Sequence, residues 1–294
     1  MKQVKIFGIT VAVLLLCMAG GVCNSHAASV KGAVEGEVKV FEGNRKQLPA
    51  IHSVEADLTD LDLKIVSTDK QKSSLSYSIY CKNSKNPLTY SVKNGVLYLK
   101  ETGIKELSGK EMKQKIGKKW WKYWPKVTLY VPANTVIKNS KINMKEGDLA
   151  IGKKIHYKDM NIQVKNGDIA LSAIQVSGMA KINAVEGDIA AAGPVVSGNM
   201  QITTKYGDIA AVGLKVSGEL QISSTDGDMV IHLNKKEINS LTVTASTEYG
   251  NMLVLGGMRK GTKKAKGDGC YYQKKGSGKG RLKIVTKEGD ILLK

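Results

Sequence analysis

The feature that most constrains this chain is a glycine-aspartate pair that recurs every 20 residues in the middle of the sequence. The register extends to flanking apolar positions, which form two repeated columns. The pairs are Gly147-Asp148, Gly167-Asp168, Gly187-Asp188, Gly207-Asp208 and Gly227-Asp228; the columns are Ile142, Ile162, Ile182, Ile202 and Ile222, and Leu149, Ile169, Ile189, Ile209 and Met229. A fixed period of this extent indicates a stacked repeat architecture.

The local pattern inside each repeat indicates strands. Ile162 and Val164 alternate with polar residues, a turn follows at Asn166-Gly167, and Ile169 and Leu171 alternate again. Alternation around a glycine turn is typical of β-strands, and 20 residues at about 3.3 Å each trace one flattened coil. We therefore predict an all-β fold: a single-stranded-coil β-solenoid, similar to a β-helix, with 20-residue repeats.

The aspartates of the repeat allow two interpretations. Stacked coils place them in a row of like charges, which a hard cation such as calcium would favour. Alternatively, each aspartate belongs to a turn, where it hydrogen-bonds to the backbone beside a glycine. Calcium-binding solenoids use a glycine-rich nonapeptide repeat that this sequence lacks, so we predict structural turns at the five pairs and at Gly289-Asp290, and no metal.

The flanks of the repeat also alternate. Residues 55–67, 75–82 and 88–101 have strand patterns, and Asn94-Gly95 is typical of a hairpin turn. We expect an N-terminal β cap with the first irregular coils over residues 28–140. The regular solenoid is expected over residues 141–294, with a basic hairpin excursion at 256–280 that includes Gly267-Asp268.

The first residues resemble an export signal. Lys2 and Lys5 precede an uncharged, mostly apolar run from Ile6 to Val22, and Ser25-His26-Ala27 supplies small residues for cleavage. We predict a signal peptide at residues 1–27 and a secreted or extracellular cell-surface protein. The alternative is an uncleaved N-terminal membrane anchor.

The net charge of +19 is concentrated in two segments. One, at 105–126, carries eight lysines and all three tryptophans; the other, at 259–283, carries ten Lys or Arg against one acid, Asp268. Lysines attract anionic surfaces, and aromatic rings stack on sugars or lie at lipid interfaces. The alternative is that the tryptophans cover the end of the core and the lysines solvate the loops. The residues that we predict to bind a polyanion are Lys118, Lys119, Trp120, Trp121, Lys122, Trp124, Lys263, Lys264, Lys274 and Lys275.

Two cysteines, Cys81 and Cys270, remain after the predicted cleavage. They lie 189 positions apart, so they form a disulfide only if the fold brings both ends of the chain together. Two separate thiols are the alternative.

Motifs for catalysis or cofactor binding are missing from the sequence. His52, His156 and His232 do not pair at metal-ligand spacing, and no GxSxG, HExxH, P-loop or GxGxxG context occurs. We expect no cofactor and no enzymatic activity. A polysaccharide-active enzyme remains an alternative, because some β-solenoids cleave glycans with clustered acids.

The chain resembles the bacterial putative-adhesin β-solenoid family. The resemblance rests on residues 51–66 (IHSVEADLTDLDLKIV), 86–101 (NPLTYSVKNGVLYLKE), 127–135 (VTLYVPANT) and 281–293 (RLKIVTKEGDILL), together with the Gly-Asp coils. It implies an exported or membrane-anchored β-solenoid related to the head-like domains of autotransporter adhesins. The Lys-Trp segment at 105–126 departs from the family pattern.

We therefore expect a non-catalytic, adhesin-like scaffold whose basic loops bind an anionic cell-envelope polymer, a glycan or a membrane surface, without specific nucleic acid binding. A structural envelope-stress component that acts through a protein partner is a further alternative.

Replacing Lys118, Lys119 and Lys122 together with glutamine is expected to weaken binding to anionic wall material, because three salt-sensitive contacts are lost. Co-sedimentation at low and high salt measures this effect. Unchanged binding at low salt would contradict the role assigned to this loop.

Overall fold

The computed structural model of the chain describes residues 39–105, 107 and 125–294, which form an all-β fold. The predicted signal peptide at 1–27 lies outside the described residues. So do Lys118, Lys119, Trp120, Trp121, Lys122 and Trp124. The all-β prediction is confirmed.

The described part of the chain contains 26 strands, one short α-helix and one 3-10 helix. The first strands are β1 (Lys39–Gln47), β2 (Ser53–Leu58), β3 (Asp62–Thr68), β4 (Ser74–Cys81), β5 (Leu88–Lys93), β6 (Val96–Glu101), β7 (Lys126–Pro132), β8 (Val136–Glu146) and β9 (Leu149–Ile151). The central strands are β10 (His156–Asn166), β11 (Ile169–Ser172), β12 (Gln175–Val176), β13 (Met179–Glu186), β14 (Ile189–Ala192), β15 (Val195–Val196), β16 (Asn199–Tyr206), β17 (Ile209–Val212), β18 (Lys215–Val216), β19 (Glu219–Asp226) and β20 (Met229–His232). The last elements are helix α1 (Lys235–Ser240), β21 (Thr242–Tyr249), β22 (Met252–Val254), the 3-10 helix (Gly256–Lys260), β23 (Thr262–Lys266), β24 (Gly269–Lys274), β25 (Arg281–Glu288) and β26 (Ile291–Leu293).

Each central coil contributes one strand to each of two sheets. In the larger sheet the order is β23-β24-β21-β25-β19-β16-β13-β10-β8-β2-β6-β5, with the short strands β12, β15 and β18 attached beside β10; in the smaller sheet it is β1-β4-β7-β3-β9-β11-β14-β17-β20-β26-β22. Along the repeat, successive strands are parallel and pair residues that are 20 positions apart, such as Ile162 with Ile142 and Ile182. The chain therefore winds as a β-solenoid.

The core is a set of ladders between the two sheets. The isoleucine at position 142 and its equivalents at 162, 182, 202 and 222 are completely buried, and Ile284 continues the column. Facing them, Leu149, Ile169 and their equivalents in the smaller sheet are equally buried. A single coil cannot bury such a face by itself, because its apolar side chains are covered by those of the coils above and below.

The turn between the two strands of each coil requires glycine. Gly187 has a φ of 134°, and a Cβ at this position would lie 2.2 Å from the carbonyl oxygen of Gly167 in the preceding coil. Gly207 meets the oxygen of Gly187 at the same distance. Successive turns therefore approach so closely that any side chain would push the coils apart.

Buried hydroxyl groups support these turns from the inside. Thr204 donates a hydrogen bond to the carbonyl of Gly187 at 3.2 Å, and Ser224 donates one to Gly207 at 3.2 Å. Thr286 donates in the same way to Gly227. The polar atoms in this column are thus paired, which removes the penalty for burying them.

Both ends of the stack have an order that differs from the order of the sequence. Strands β25 and β26, the last of the chain, lie between the coil of β19 and β20 and the coil of β21 and β22. At the other end, β2 and β3 lie between the coil of β8 and β9 and the pair β6 and β7. The first and last coils are therefore held by strands on both sides.

The two cysteines are separate thiols. Cys81 lies on β4, near one end of the smaller sheet, and Cys270 lies on β24, beyond β21 at the opposite end of the stack. Ten strand spacings separate β4 from β24, which is about 48 Å at ~4.8 Å each. A disulfide requires Cα atoms within about 7 Å, so one chain cannot join them.

Among the described residues, we find no helix that is both long enough and apolar enough to cross a bilayer.

Gly187→Ala is expected to lower the free energy of unfolding by about 3 kcal/mol or more, because the new Cβ meets the oxygen of Gly167 in a strained backbone region. The matched control is Gly193→Ala in the same coil. Gly193 has a φ of 64°, and a Cβ there would lie 4.0 Å from the Cβ of Ala173, which occupies the equivalent position one coil earlier with a φ of 46°. The control is expected to cost about 1 kcal/mol. Urea unfolding of both variants measures the difference, and equal losses would contradict the close approach of the turns.

Candidate polyanion-binding surface

The basic segment after β22 forms a hairpin at the end of the larger sheet. Strands β23 and β24 pair in an antiparallel manner around a two-residue turn at Gly267-Asp268, and β24 pairs with β21. The segment is thus the predicted excursion and not another coil. It positions four of the predicted site residues: Lys263, Lys264, Lys274 and Lys275.

Strand alternation places Lys263 and Lys274 on the inward side of the hairpin. Lys263 pairs with the buried Tyr272, and its ammonium donates to the carbonyl oxygen of Met252 on β22. Lys274 is itself buried, with 8% of its surface exposed, and its ammonium donates to the carbonyl oxygen of Ile238 in α1. The aliphatic stem of Lys274 covers the end of the core, whereas Lys263 is exposed, and the ammonium groups of both cap backbone carbonyls.

This geometry corrects the prediction for Lys274 and restricts the role of Lys263. Burial lowers the pKa of Lys274, and the neighbouring ammonium of Lys260 lowers it further. A buried ammonium that already has a carbonyl partner is not available to an external polymer. Sequence reasoning missed this because it counted charges without assigning the two faces of the hairpin.

Five other cations of the same segment are exposed. They are Arg259, Lys260, Lys264, Lys275 and Lys279, which we call the C-terminal basic cluster. Lys264 and Lys275 were predicted from the sequence; the other three lie in the same basic segment but were not selected. None of these five cations has an ion-pair partner within 4.0 Å among the described residues, so the cluster is not neutralised by salt bridges within that part of the chain.

The aspartates of the repeat form a continuous ladder along one edge of the solenoid. The Oδ1 atom of Asp148 accepts a hydrogen bond from the backbone N–H of Asp168, and the same contact repeats through Asp188, Asp208, Asp228 and Asp290 at 2.7–2.9 Å. At one end Asp62 accepts from the N–H of Asp148; at the other, Asn251 donates its N–H to Asp290. These contacts favour the turn interpretation of Asp148, Asp168, Asp188, Asp208, Asp228 and Asp290.

The ladder has an electrostatic cost that its geometry partly offsets. Burial raises the pKa of Asp62 to about 6; the charge of Asp148 also raises it, whereas the N–H of Asp148 and the ammonium of Lys126 lower it. Burial and the neighbouring aspartates likewise raise the pKa of Asp208. In the described part of the chain, no group of three or more His, Cys, Asp or Glu side chains is arranged to hold a metal ion.

A buried carboxylate outside the repeat was not selected from the sequence. Glu101 ends β6, and its Oε2 atom accepts hydrogen bonds from the backbone N–H groups of Thr59, Asp60 and Leu61 at 2.9–3.1 Å. Burial raises its pKa, while these hydrogen bonds lower it. Its contacts bind the turn between β2 and β3 to the end of the stack, which is a structural role.

Comparison with known proteins gives one family and several solved structures. The sequence model described as Toastrack DUF4097 matches residues 51–196 and 134–294. One similar structure is a putative cell adhesion protein from Clostridium sporogenes ATCC 15579, with 14% identity and a TM-score of 0.33 over 87% of this chain and 97% of that chain. Another is a putative adhesin from Bacteroides fragilis NCTC 9343, with 12% identity and a TM-score of 0.40 over 87% of this chain and 97% of that chain. A putative lipid binding protein from Parabacteroides distasonis ATCC 8503 is also similar, with 14% identity and a TM-score of 0.39 over 88% of this chain and 98% of that chain. No curated protein matches the chain. Identities and TM-scores this low transfer no function.

Asp62→Asn is expected to stabilise the protein at pH 7 by about 1–2 kcal/mol, because the amide oxygen still accepts the N–H of Asp148 while the charge is removed. The pKa of Asp62 in the folded state, about 6, is above its unfolded value of about 3.9. The folded state therefore binds the proton more readily, and wild-type stability rises as the pH falls from 7 towards 4. In the Asp62→Asn variant, the part of this rise in stability that comes from protonation of Asp62 is expected to be absent.

Urea unfolding at pH 7, 6 and 5 measures the effect, with Asp268→Asn as the control because Asp268 lies exposed in the hairpin turn. The same pH dependence in Asp62→Asn and in wild type would contradict the assignment.

Proposed function

This chain belongs to the Toastrack DUF4097 family, and we propose that it is an exported, non-catalytic β-solenoid with 20-residue coils and capped ends that acts as an adhesin-like scaffold. In this proposal it binds an anionic polymer of the cell envelope, such as wall polymer, glycan or a charged membrane surface. The observation that best supports this proposal is the C-terminal basic cluster, whose five exposed cations have no ion-pair partner within the described residues.

The electrostatics of the cluster support a polymer partner over a compact ligand. Its cations lie on the 3-10 helix (Arg259, Lys260), on β23 (Lys264) and on the segment after β24 (Lys275, Lys279). They therefore spread over the end of the stack and do not converge on one point. Such a distribution attracts an extended polyanion by releasing its counterions, and the attraction weakens as salt increases.

The non-catalytic part of the proposal is supported by the use of the carboxylates. Those of the ladder accept backbone N–H groups of the next coil, and Glu101 holds the turn between β2 and β3. A general acid or base has to reach a substrate proton within hydrogen-bond distance. One oxygen of each of these carboxylates is already held by backbone N–H groups.

Export is supported by the sequence of residues 1–27, with its basic start, apolar run and small residues at the cleavage position. An exported cationic protein meets wall polymers, glycans and lipid headgroups first. The uncleaved alternative would hold the same basic cluster at the membrane surface.

The triple variant Lys260→Gln, Lys264→Gln, Lys275→Gln is expected to lose at least about tenfold in affinity for anionic wall material at low salt, since three phosphate- or carboxylate-directed contacts disappear. Co-sedimentation of the mature protein with isolated cell-wall material, from about 50 to 500 mM salt, measures this.

The matched control removes three exposed lysines from the opposite end of the stack: Lys70→Gln, Lys72→Gln and Lys85→Gln. It changes the net charge equally and is expected to retain most of the binding. Equal losses in both variants would show that only net charge matters, and absence of binding by the wild-type protein at low salt would refute the proposed function.

A further inference from the structure

The outward side of the larger sheet carries a second polar surface, distinct from the C-terminal basic cluster. Two neighbouring columns run along eight strands in the order β8, β10, β13, β16, β19, β25, β21, β24. One column begins at Lys141 and ends at Gln273, and the other begins at Asn143 and ends at Tyr271. We call this part of the two columns the acid-free strip, because it contains no aspartate or glutamate. On the next strand, β2, the columns continue as Glu55, beside Lys141, and Asp57, beside Asn143, and these acids end the strip.

Strand alternation and the register show that the two columns share one face. On β13, Lys181 and Asn183 flank the buried Ile182 and lie on the opposite side of the strand from it. The hydroxyl groups of Thr203 and Ser223, on adjacent strands, lie 3.2 Å apart and hydrogen-bond to each other. The columns are therefore continuous from coil to coil.

Amides, hydroxyls and widely spaced lysines make up most of the strip. The side-chain amides of Asn143, Gln163 and Asn183 form no hydrogen bond with another described residue, so these amides are free for a ligand. The lysines are Lys141, Lys181 and Lys283, all exposed. In the strand order, two spacings separate Lys141 from Lys181, about 10 Å, and three spacings separate Lys181 from Lys283, about 14 Å.

Side chains of both charges line one border of the strip. Glu146, Glu186 and Glu288 lie where the strands bend into the glycine turn, next to the aspartate ladder. The same border carries four exposed lysines: Lys145, Lys165, Lys205 and Lys287. Glu219 and Asp159 lie on the other border. The strip itself carries three lysines and no acid over about 34 Å, counted as seven strand spacings, whereas positive and negative charges are mixed along its border at the glycine turns.

We propose that the acid-free strip binds a linear acidic polysaccharide that lies along the solenoid axis. The free amides and hydroxyls match sugar hydroxyl groups, and lysines at intervals of 10 Å or more match a polymer with one carboxylate or phosphate for every few sugars. A nucleic acid carries charge far more densely and is bound by stacked aromatic rings, of which the strip has one, Tyr271. The proposal rests on the proposed function and names its ligand class and a site within it.

The test measures binding of the mature protein to polygalacturonate, a linear acidic polysaccharide, with neutral dextran as the comparison. The variant Lys141→Gln, Lys181→Gln, Lys283→Gln is expected to lose at least about tenfold in affinity at 50 mM salt. The matched control is Lys64→Gln, Lys153→Gln, Lys215→Gln, which removes three exposed lysines from the other sides of the coils. It is expected to change the affinity less than about threefold.

A second variant separates hydrogen bonding from charge. Asn183→Ala with Gln221→Ala leaves the net charge unchanged and alters two exposed or half-exposed positions, so the fold is retained. It is expected to weaken binding about threefold or more without changing the salt dependence, because amide contacts are lost while ionic contacts remain.

The outcomes distinguish the two levels of proposal. If wild type binds polygalacturonate and the strip variant binds equally well, while the Lys260/Lys264/Lys275 variant does not, the proposed function stands and the strip assignment is wrong. If wild type binds neither polygalacturonate nor wall material, both proposals fail. Equal affinity for dextran, or tighter binding to vesicles of anionic lipid, would also overturn the strip proposal.

Discussion

The close approach of successive glycine turns sets the geometry of the whole molecule. A carbonyl oxygen of one turn lies 2.2 Å from the position that a Cβ of the next turn would occupy. Only at this separation do the flanking strands pair in parallel, and only then does each isoleucine lie over its equivalent in the next coil. The ladder core, the hydroxyl column and the outward columns all follow from this spacing between successive coils, because each residue lies at that distance from its equivalent in the next coil.

The same spacing explains how the fold tolerates a row of carboxylates. Each aspartate is followed along the stack by another at about one strand spacing, which is repulsive. Each Oδ1 atom, however, receives a backbone N–H from the next coil, a strong interaction for a charged acceptor. The ladder ends at Asn251, which donates its N–H to Asp290 and carries no charge. Burial, and to a smaller extent the charges of the neighbouring aspartates, raises the pKa of Asp62 and of Asp208, which is the electrostatic cost of this row.

Periodicity was sufficient to predict the all-β class and the two hairpin turns, at Asn94-Gly95 and Gly267-Asp268. It was not sufficient to order the terminal coils. Strands β21 and β25 have nearly the same pattern, so the local sequence does not distinguish which of them pairs with β19; in the structure it is β25. Local sequence was also not sufficient to predict which side chains of the candidate site face the solvent. Charge counting selected Lys263 and Lys274, but their orientation depends on which face of the hairpin covers the core.

A repeat that stacks identical groups inside the molecule must also stack groups outside it. The outward columns of the larger sheet consequently recur at one strand spacing over tens of ångströms, a distance that no compact ligand covers. Catalysis requires several different groups to converge on one reacting atom, whereas a solenoid face spreads similar groups along a line. The geometry therefore favours a partner that is itself long and repetitive. In the proposed role as a polysaccharide-binding surface, the lysines on that face would favour, among such partners, those that carry negative charge.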